Sequence, residues 1–304
     1  MSSPHTIMRI GYPCINRSIG CSANKTFRLA SYSEERLIST VAENLACLKR
    51  ILLWNAEHDI LFFRITSDLV PFASHPVCTF RWQEHFNNEF AEIGEFITKS
   101  GIRISMHPDQ FIVLNAPNKG VVDRSIAELA YHAGVLDAMG LDRTAKIQLH
   151  IGGVYGDKEA SLVRFARTCE QLDPAILRRL VIENDDNRFT APDCLSVHEQ
   201  TGIPVLFDVF HHACNNAGEA MEDALQLTGN TWKKSDGVPM VDYSSQHPGK
   251  RPGSHADHID PEDFSAFLQH SRPFDRDIML EIKDKESSAL RACDLARNDS
   301  RFCH

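Results

Sequence analysis

Eight times along the chain, a short apolar run is followed by a stretch with apolar residues every three or four positions. No other feature restricts the fold as strongly. The apolar runs predict strands at residues 7–12, at Leu61-Phe62-Phe63-Arg64-Ile65, and at residues 102–106, 145–149, 180–182, 204–207, 239–243 and 278–280. The amphipathic stretches predict a helix that starts at Ser33, and others over residues 82–99, 121–139, 158–171, 192–201, 219–227 and 261–270, with a last one over 287–297. Ser33 is a good N-cap for the first helix, whose apolar stripe runs Leu37, Val41, Leu45, Leu48, Leu52. Gly101 and Gly140 are stop signals for the helices that precede them. Strands that alternate with helices call for a parallel sheet, and eight such units predict closure into one (β/α)8 TIM barrel of the α/β class. The expected domain is single, residues 1–304, with a core over about 7–285 and the closing helix after it. A doubly wound dinucleotide fold is poorly supported, because Gly11-Tyr12-Pro13 after the first strand does not match the glycine-rich phosphate turn.

Composition narrows the partners. No apolar run is long enough to cross a membrane, and no signal peptide is expected, since no long apolar run follows a basic stretch near residue 1. The nine cysteines are odd in number and scattered, with no C-x-x-C pair, which argues against a disulfide framework or a thiolate zinc site and for a reducing cytoplasm. A net charge of −9 runs against nucleic-acid binding, and the basic stretch Lys250-Arg251 is small. Bound divalent cations would offset part of that charge.

The chemistry is written where the strands stop. Five of them end in a side chain that can hold a metal: His107, His150, Glu183, Asp208 and Glu281. In a barrel the C-terminal strand ends converge on the face that carries active sites. His211 follows Asp208 by three residues in the turn after the sixth strand; Asp242 lies in the seventh strand, and His255 in the loop beyond it. Imidazoles and carboxylates without thiolates suit Mn²⁺ or Zn²⁺. The set is large enough for two or three ions, with Glu183 and Glu281 as bridging carboxylates, an arrangement suited to hydrolysing a phosphodiester. The other histidines, His5, His58, His85, His132, His198, His247, His258, His270 and His304, read as solvated or packing residues, and His212 is expected to point away from His211.

The motifs around these residues resemble the UV damage endonucleases. Gly11-Tyr12-Pro13-Cys14-Ile15-Asn16, Pro71-Phe72-Ala73-Ser74-His75-Pro76 and Ser105-Met106-His107-Pro108-Asp109-Gln110-Phe111 carry the likeness. So do Leu149-His150-Ile151-Gly152-Gly153, Ile182-Glu183-Asn184-Asp185, Phe207-Asp208-Val209-Phe210-His211-His212, Lys250-Arg251-Pro252-Gly253-Ser254-His255 and Leu280-Glu281-Ile282-Lys283. The resemblance implies a metal-dependent DNA repair hydrolase on a barrel like those of xylose isomerase and endonuclease IV. It implies nicking of duplex DNA immediately 5′ of cyclobutane dimers, 6-4 photoproducts and abasic sites, by a cytoplasmic, nucleoid-associated enzyme. It implies His107, His150, Glu183, Asp208, His211, His255 and Glu281 as metal ligands, with His75, Glu183 and Glu281 as catalytic residues. Tyr12 and Asn16 would line a lesion pocket, Gln110 and Phe111 would wedge into the duplex, and Lys250 and Arg251 would meet the DNA.

The chain departs from that pattern in two places. Phe111 stands where the family often has Tyr. In strand seven, Met240 and Asp242 stand where the family commonly has a Lys and a metal-binding His. Asp242 is therefore expected as a ligand harder than imidazole, favouring Mn²⁺ with Zn²⁺ or Mg²⁺ as alternatives. A monomer is expected, since duplex DNA must lie across the open barrel face. The rival readings are a two-metal sugar isomerase or epimerase on the same barrel, and a DNA-binding scaffold without catalysis.

Overall fold

The computed structural model describes residues 8–303. Its strands are β1 Ile10–Pro13, β2 Phe62–Ile65, β3 Arg103–Met106, β4 Lys146–His150, β5 Leu180–Glu183, β6 Val205–Asp208, β7 Met240–Tyr243 and β8 Asp277–Leu280. They pair in parallel, in chain order, and close into a barrel where β8 meets β1. One long helix follows each strand: α1 Glu34–Glu57, α2 Asn87–Ser100, α3 Lys119–Ala138, α4 Lys158–Cys169, α5 Ala191–Thr201, α6 Met221–Gly229, α7 Pro261–His270 and α8 Glu286–Ala296. The eight-unit expectation thus holds. Ile7, expected in the first strand, lies outside the described residues, as do His5 and His304.

Local chemistry sets the ends of these elements. The Ser33 hydroxyl accepts from the Arg36 backbone N–H at 3.2 Å and starts α1. Gly101 closes α2 in the left-handed region at φ 66°, a conformation with little penalty for glycine. The helix expected over residues 82–99 is broken at Phe86, which leaves a short turn, Trp82–His85, ahead of α2. Gly11 is required by packing: a Cβ there would sit 1.8 Å from the Phe62 carbonyl oxygen of the neighbouring strand.

Side chains alternate across a strand, so residues two apart share a face. Phe62, Val181, Leu206, Met240 and Met279 form an apolar plug of their own inside the barrel, while the larger core lies between strands and helices. Two positions beyond each plug residue stand Arg64, Glu183, Asp208, Asp242 and Glu281. The plug therefore closes the floor beneath a polar layer at the C-terminal mouth. The opposite end of the barrel is also charged, but there the charges pair. Arg103 meets Asp277 at 2.7 Å, Arg9 meets Asp277 at 3.3 Å, and Lys146 and Arg143 meet Asp236 at 2.7 and 2.8 Å.

One expectation fails in part. Cys21, in the loop between β1 and α1, and Cys47 of α1 form a disulfide. The loop folds back over α1 and brings the two together across 26 residues, a proximity that a scattered, odd set of cysteines does not reveal.

Candidate metal centre

Strand register brings the polar layer together. His150 is level with Glu183 across β4 and β5, and Asp208 is level with Asp242 across β6 and β7. Glu183 is the hub. Its Oε2 lies 3.3 Å from His107 Nε2 and 3.6 Å from His150 Nε2, and its Oε1 lies 3.3 Å from His211 Nδ1. Three overlapping groups result: His107 with His150 and Glu183; Glu183 with Asp208 and His211; Asp208 with Asp242 and Glu281. Within each, one donor atom per residue lies within 4.8 Å of the others.

The short helix Val209–Cys214 replaces the simple turn expected after β6. Asp208 caps it, accepting the His211 backbone N–H at 2.6 Å through Oδ1. Asn184 holds Asp208 in place with paired backbone contacts of 2.9 and 3.0 Å. The His211 Nδ1–H donates to the Asn184 carbonyl at 3.0 Å, and the His255 Nδ1–H donates to the Glu281 carbonyl at 2.9 Å. Each contact orients the ring and, in the neutral imidazole that binds a metal, leaves Nε2 as the lone-pair nitrogen.

The electrostatics are those of a site suited to hold a cation. Burial, with Glu183 and Glu281 adding to it, lifts Asp208 to about 7, although His211 opposes. Burial disfavours charge on His211, but Asp208 and Glu183 outweigh it and raise the imidazole to about 12. Burial keeps His150 neutral, the form that ligates. Buried atoms of the site without a hydrogen-bond partner include Nδ1 of His107 and His150, Oε1 of Glu183, Oδ2 of Asp208 and Nε of Arg64. Unsatisfied buried polar atoms are expensive, and several around one cavity are what a divalent cation would resolve. The donor set, imidazole and carboxylate, fits Mn²⁺ or Zn²⁺.

The cavity above the cluster holds about 650 Å³ and opens between Pro13, His107, Phe111, His150, His255 and Lys285. Cys14 and Lys285 on its wall have φ of 72° and 57°, a conformation that stores strain and gathers at functional sites. Phe111, beside Gln110 on the rim, is 75% exposed, an unusual position for so large an apolar ring. Lys250 and Arg251 are exposed on the loop that leads to His255.

Other expected residues take different places. Tyr12 and Asn16 are buried rather than set on an open pocket wall. The Tyr12 hydroxyl donates to Asn55 at 2.6 Å and accepts from Asn16 at 2.9 Å, and this chain of bonds pins the loop after β1. The polar end of the ring is satisfied inward, so it has no reason to face solvent. His75 is exposed on the loop after β2 and does not line the cavity; its Nδ1 accepts from the Val77 N–H at 3.1 Å. His212 turns away, as expected, toward Glu219 and the Phe207 ring.

Two functional residues escape a reading of strand ends. Arg64 of β2 is 3% exposed and sits among the carboxylates. Its Nη2 donates to Asp242 Oδ1 and Oδ2 at 2.8 and 2.7 Å and to Gln148 Oε1 at 2.7 Å, and its Nη1 donates to Glu281. Gln148 in turn donates to Glu183 at 2.6 Å and to Asp242 at 2.5 Å. The one sequence signal was an arginine inside an otherwise apolar strand.

Comparison with known proteins agrees with this geometry. A family model described as UV-endonuclease UvdE matches residues 8–301. The UV DNA damage endonuclease of Clostridium perfringens (strain 13 / Type A) is 38% identical over 286 residues, 93% of this chain and 69% of that one. The crystal structure of SacUVDE is 49% identical, with a TM-score of 0.92 over 95% of this chain and 98% of that one. Endonuclease IV from Thermus thermophilus shares the fold, with a TM-score of 0.57 at 16% identity over 83% of this chain and 93% of that one. With its closed barrel, its clustered histidines and carboxylates and a family match over nearly its whole length, the chain belongs to the UV-endonuclease UvdE family.

Proposed function

We propose that the protein is a metal-dependent UV DNA damage endonuclease that nicks duplex DNA immediately 5′ of cyclobutane dimers, 6-4 photoproducts and abasic sites. The observation that carries this reading is the chain of overlapping donor groups through Glu183 and Asp208 at the mouth of the barrel, with unsatisfied buried atoms around it. His107, His150, Glu183, Asp208, His211, His255 and Glu281 would hold the ions, Mn²⁺ first and Zn²⁺ or Mg²⁺ as substitutes. Bound there, the ions supply Lewis acidity toward the phosphodiester and its attacking water.

The chain's own residues do the rest. Glu183 and Glu281 hold the two sides of the centre together. Backbone contacts from Asn184 and Glu281 fix the imidazoles of His211 and His255 before substrate arrives, so little reorganisation is left for the reaction. Phe111 and Gln110 project from the rim where a duplex would cross. Extruding damaged bases costs a few kcal/mol of stacking, and an inserted aromatic ring recovers part of it. Tyr12 and Asn16 keep the loop after β1 in the shape that faces the lesion. Lys250 and Arg251 meet the backbone, and His75, exposed on the loop after β2, reaches a phosphate from outside the cavity. A duplex laid over the mouth leaves that face free of protein partners, so the enzyme works as a monomer and a single catalytic domain, acting on nucleoid DNA in the cytoplasm. Among the described residues no helix is long and apolar enough to cross a membrane.

The test is an end-labelled duplex with one thymine dimer, incubated with Mn²⁺ and the purified protein, beside an undamaged duplex and a Glu183→Ala control. A single nick directly 5′ of the dimer, absent from both controls, is the expected result. Cleavage at an abasic site but not at the dimer would restrict the substrate range to that lesion. No cleavage of either, with metal bound, would overturn the assignment.

A further inference from the structure

We propose that Arg64 is a resident cation that takes the place of a third divalent ion, so that the centre holds a pair of ions and one guanidinium. The proposal rests on the metal-centre reading above. The three donor groups of the mouth are not equivalent. The two that meet at Glu183 keep unsatisfied buried atoms on His107, His150, Glu183 and Asp208. In the third, which shares Asp208 and adds Asp242 and Glu281, both oxygens of Asp242 are already engaged: each accepts from Arg64, and one also accepts from Gln148. Glu281 gives a further oxygen to the same guanidinium.

Three carboxylates this close, out of water, cannot all stay charged without a cation beside them. Arg64 meets that need from within the chain. A guanidinium is always protonated, and its flat array of N–H donors suits carboxylates better than an ammonium would. Gln148 fixes its position from the far side and ties the pair to Glu183. An ion arriving between Asp242 and Glu281 would have to evict a side chain that is 3% exposed and leave it unpaired in the barrel. Beneath Asp242 lies Met240, part of the apolar plug, which offers no hard oxygen or nitrogen donor to a replacement ion. A cation fixed by a covalent side chain is not removed by chelators and does not depend on metal supply.

The experiment counts ions rather than turnover. The full chain is loaded with Mn²⁺, dialysed, and measured by plasma mass spectrometry, with tight sites titrated by electron paramagnetic resonance. The wild type is expected to retain about two ions per chain, and Arg64→Met about three, since that change frees Asp242 and Glu281. Arg64→Met could fail to fold, because it leaves buried carboxylates uncompensated. The double variant Arg64→Met/Asp242→Asn removes one positive and one negative charge together, and is expected to retain about two. About three ions in the wild type, no gain in a folded Arg64→Met, or loss of an ion in the double variant would each overturn the proposal. Absence of tight Mn²⁺ from every form would bring down the metal-centre reading with it. A count of about two in a protein that nicks no damaged DNA would support this proposal while the endonuclease reading failed.

Discussion

Asp208 accepts the His211 backbone N–H at 2.6 Å through one carboxylate oxygen and turns the other, unpartnered, into the cluster. One side chain thus starts the short helix that carries His211 and faces the same site as that histidine. The two roles separate by mutation. Asp208→Asn keeps an acceptor for the cap but loses the charge, and Asp208→Ala loses both. In chelator-stripped protein, Asp208→Ala should unfold about 1 kcal/mol more easily than Asp208→Asn, the usual value of an N-cap side chain. Both should weaken Mn²⁺ retention by about tenfold or more. Denaturant titration and metal content check the two effects independently, and equal stability of the two variants would remove the capping role.

Charges at the two ends of the barrel should respond differently to deletion. Asp277 pairs with Arg103 and Arg9 at the closed end, far from the cavity. Asp277→Ala leaves a buried guanidinium uncompensated and should destabilise the protein by about 3–5 kcal/mol. Metal content per folded chain should not change. Urea unfolding with parallel metal analysis decides this, and a loss of metal at unchanged stability would contradict the structural role.

His132 of α3 should make the protein acid-sensitive. It is fully buried, its Nδ1–H donates to the Glu128 carbonyl at 2.8 Å, and burial depresses its imidazole to about 4. Above an ordinary histidine value of about 6.5, both folded and unfolded chains carry it neutral, and it adds no pH dependence. As the pH falls from there toward about 4, the unfolded chain takes up a proton that the folded one refuses, so stability is lost across that window. The full loss is on the order of 3 kcal/mol. His132→Gln should flatten the difference in unfolding free energy between pH 7.5 and pH 5. A variant as acid-sensitive as the wild type would show that other groups carry the effect.

Phe111 touches little of the protein and should matter only when DNA is present. Phe111→Ala should leave unfolding within about 0.5 kcal/mol of the wild type, as befits an exposed site. The rate of nicking a dimer duplex at low substrate should fall roughly ten- to a hundredfold, the equivalent of one lost base–aromatic stack. Phe111→Tyr should restore it, since the ring is what stacks. Equal nicking by the alanine variant would remove the wedge from the mechanism.

Much of this was legible in the sequence because it rests on local rules. Apolar runs of strand length, amphipathic stretches, the Ser33 cap and the Gly101 stop are short-range signals, and they yield eight strand–helix units without tertiary information. The metal-capable ends of β4, β5 and β6, and His107 and Glu281 just past β3 and β8, were visible because strand boundaries can be read and parallel barrels gather their C-terminal ends. The break at Phe86 and the helix after Asp208 were not visible, since each depends on how a few residues settle against neighbours.

What the sequence by itself determined is the barrel and the set of donors at its mouth, because periodicity of two and of about four is written residue by residue. Only the tertiary structure decided which of those donors are already satisfied. Arg64 and Asp242 are 178 residues apart, and nothing local to either says that they meet. The burial of Tyr12 against Asn55 and the joining of Cys21 to Cys47 have the same character. Each depends on the register and closure of strands and loops far apart in the chain, and that geometry exists only once the whole barrel has formed.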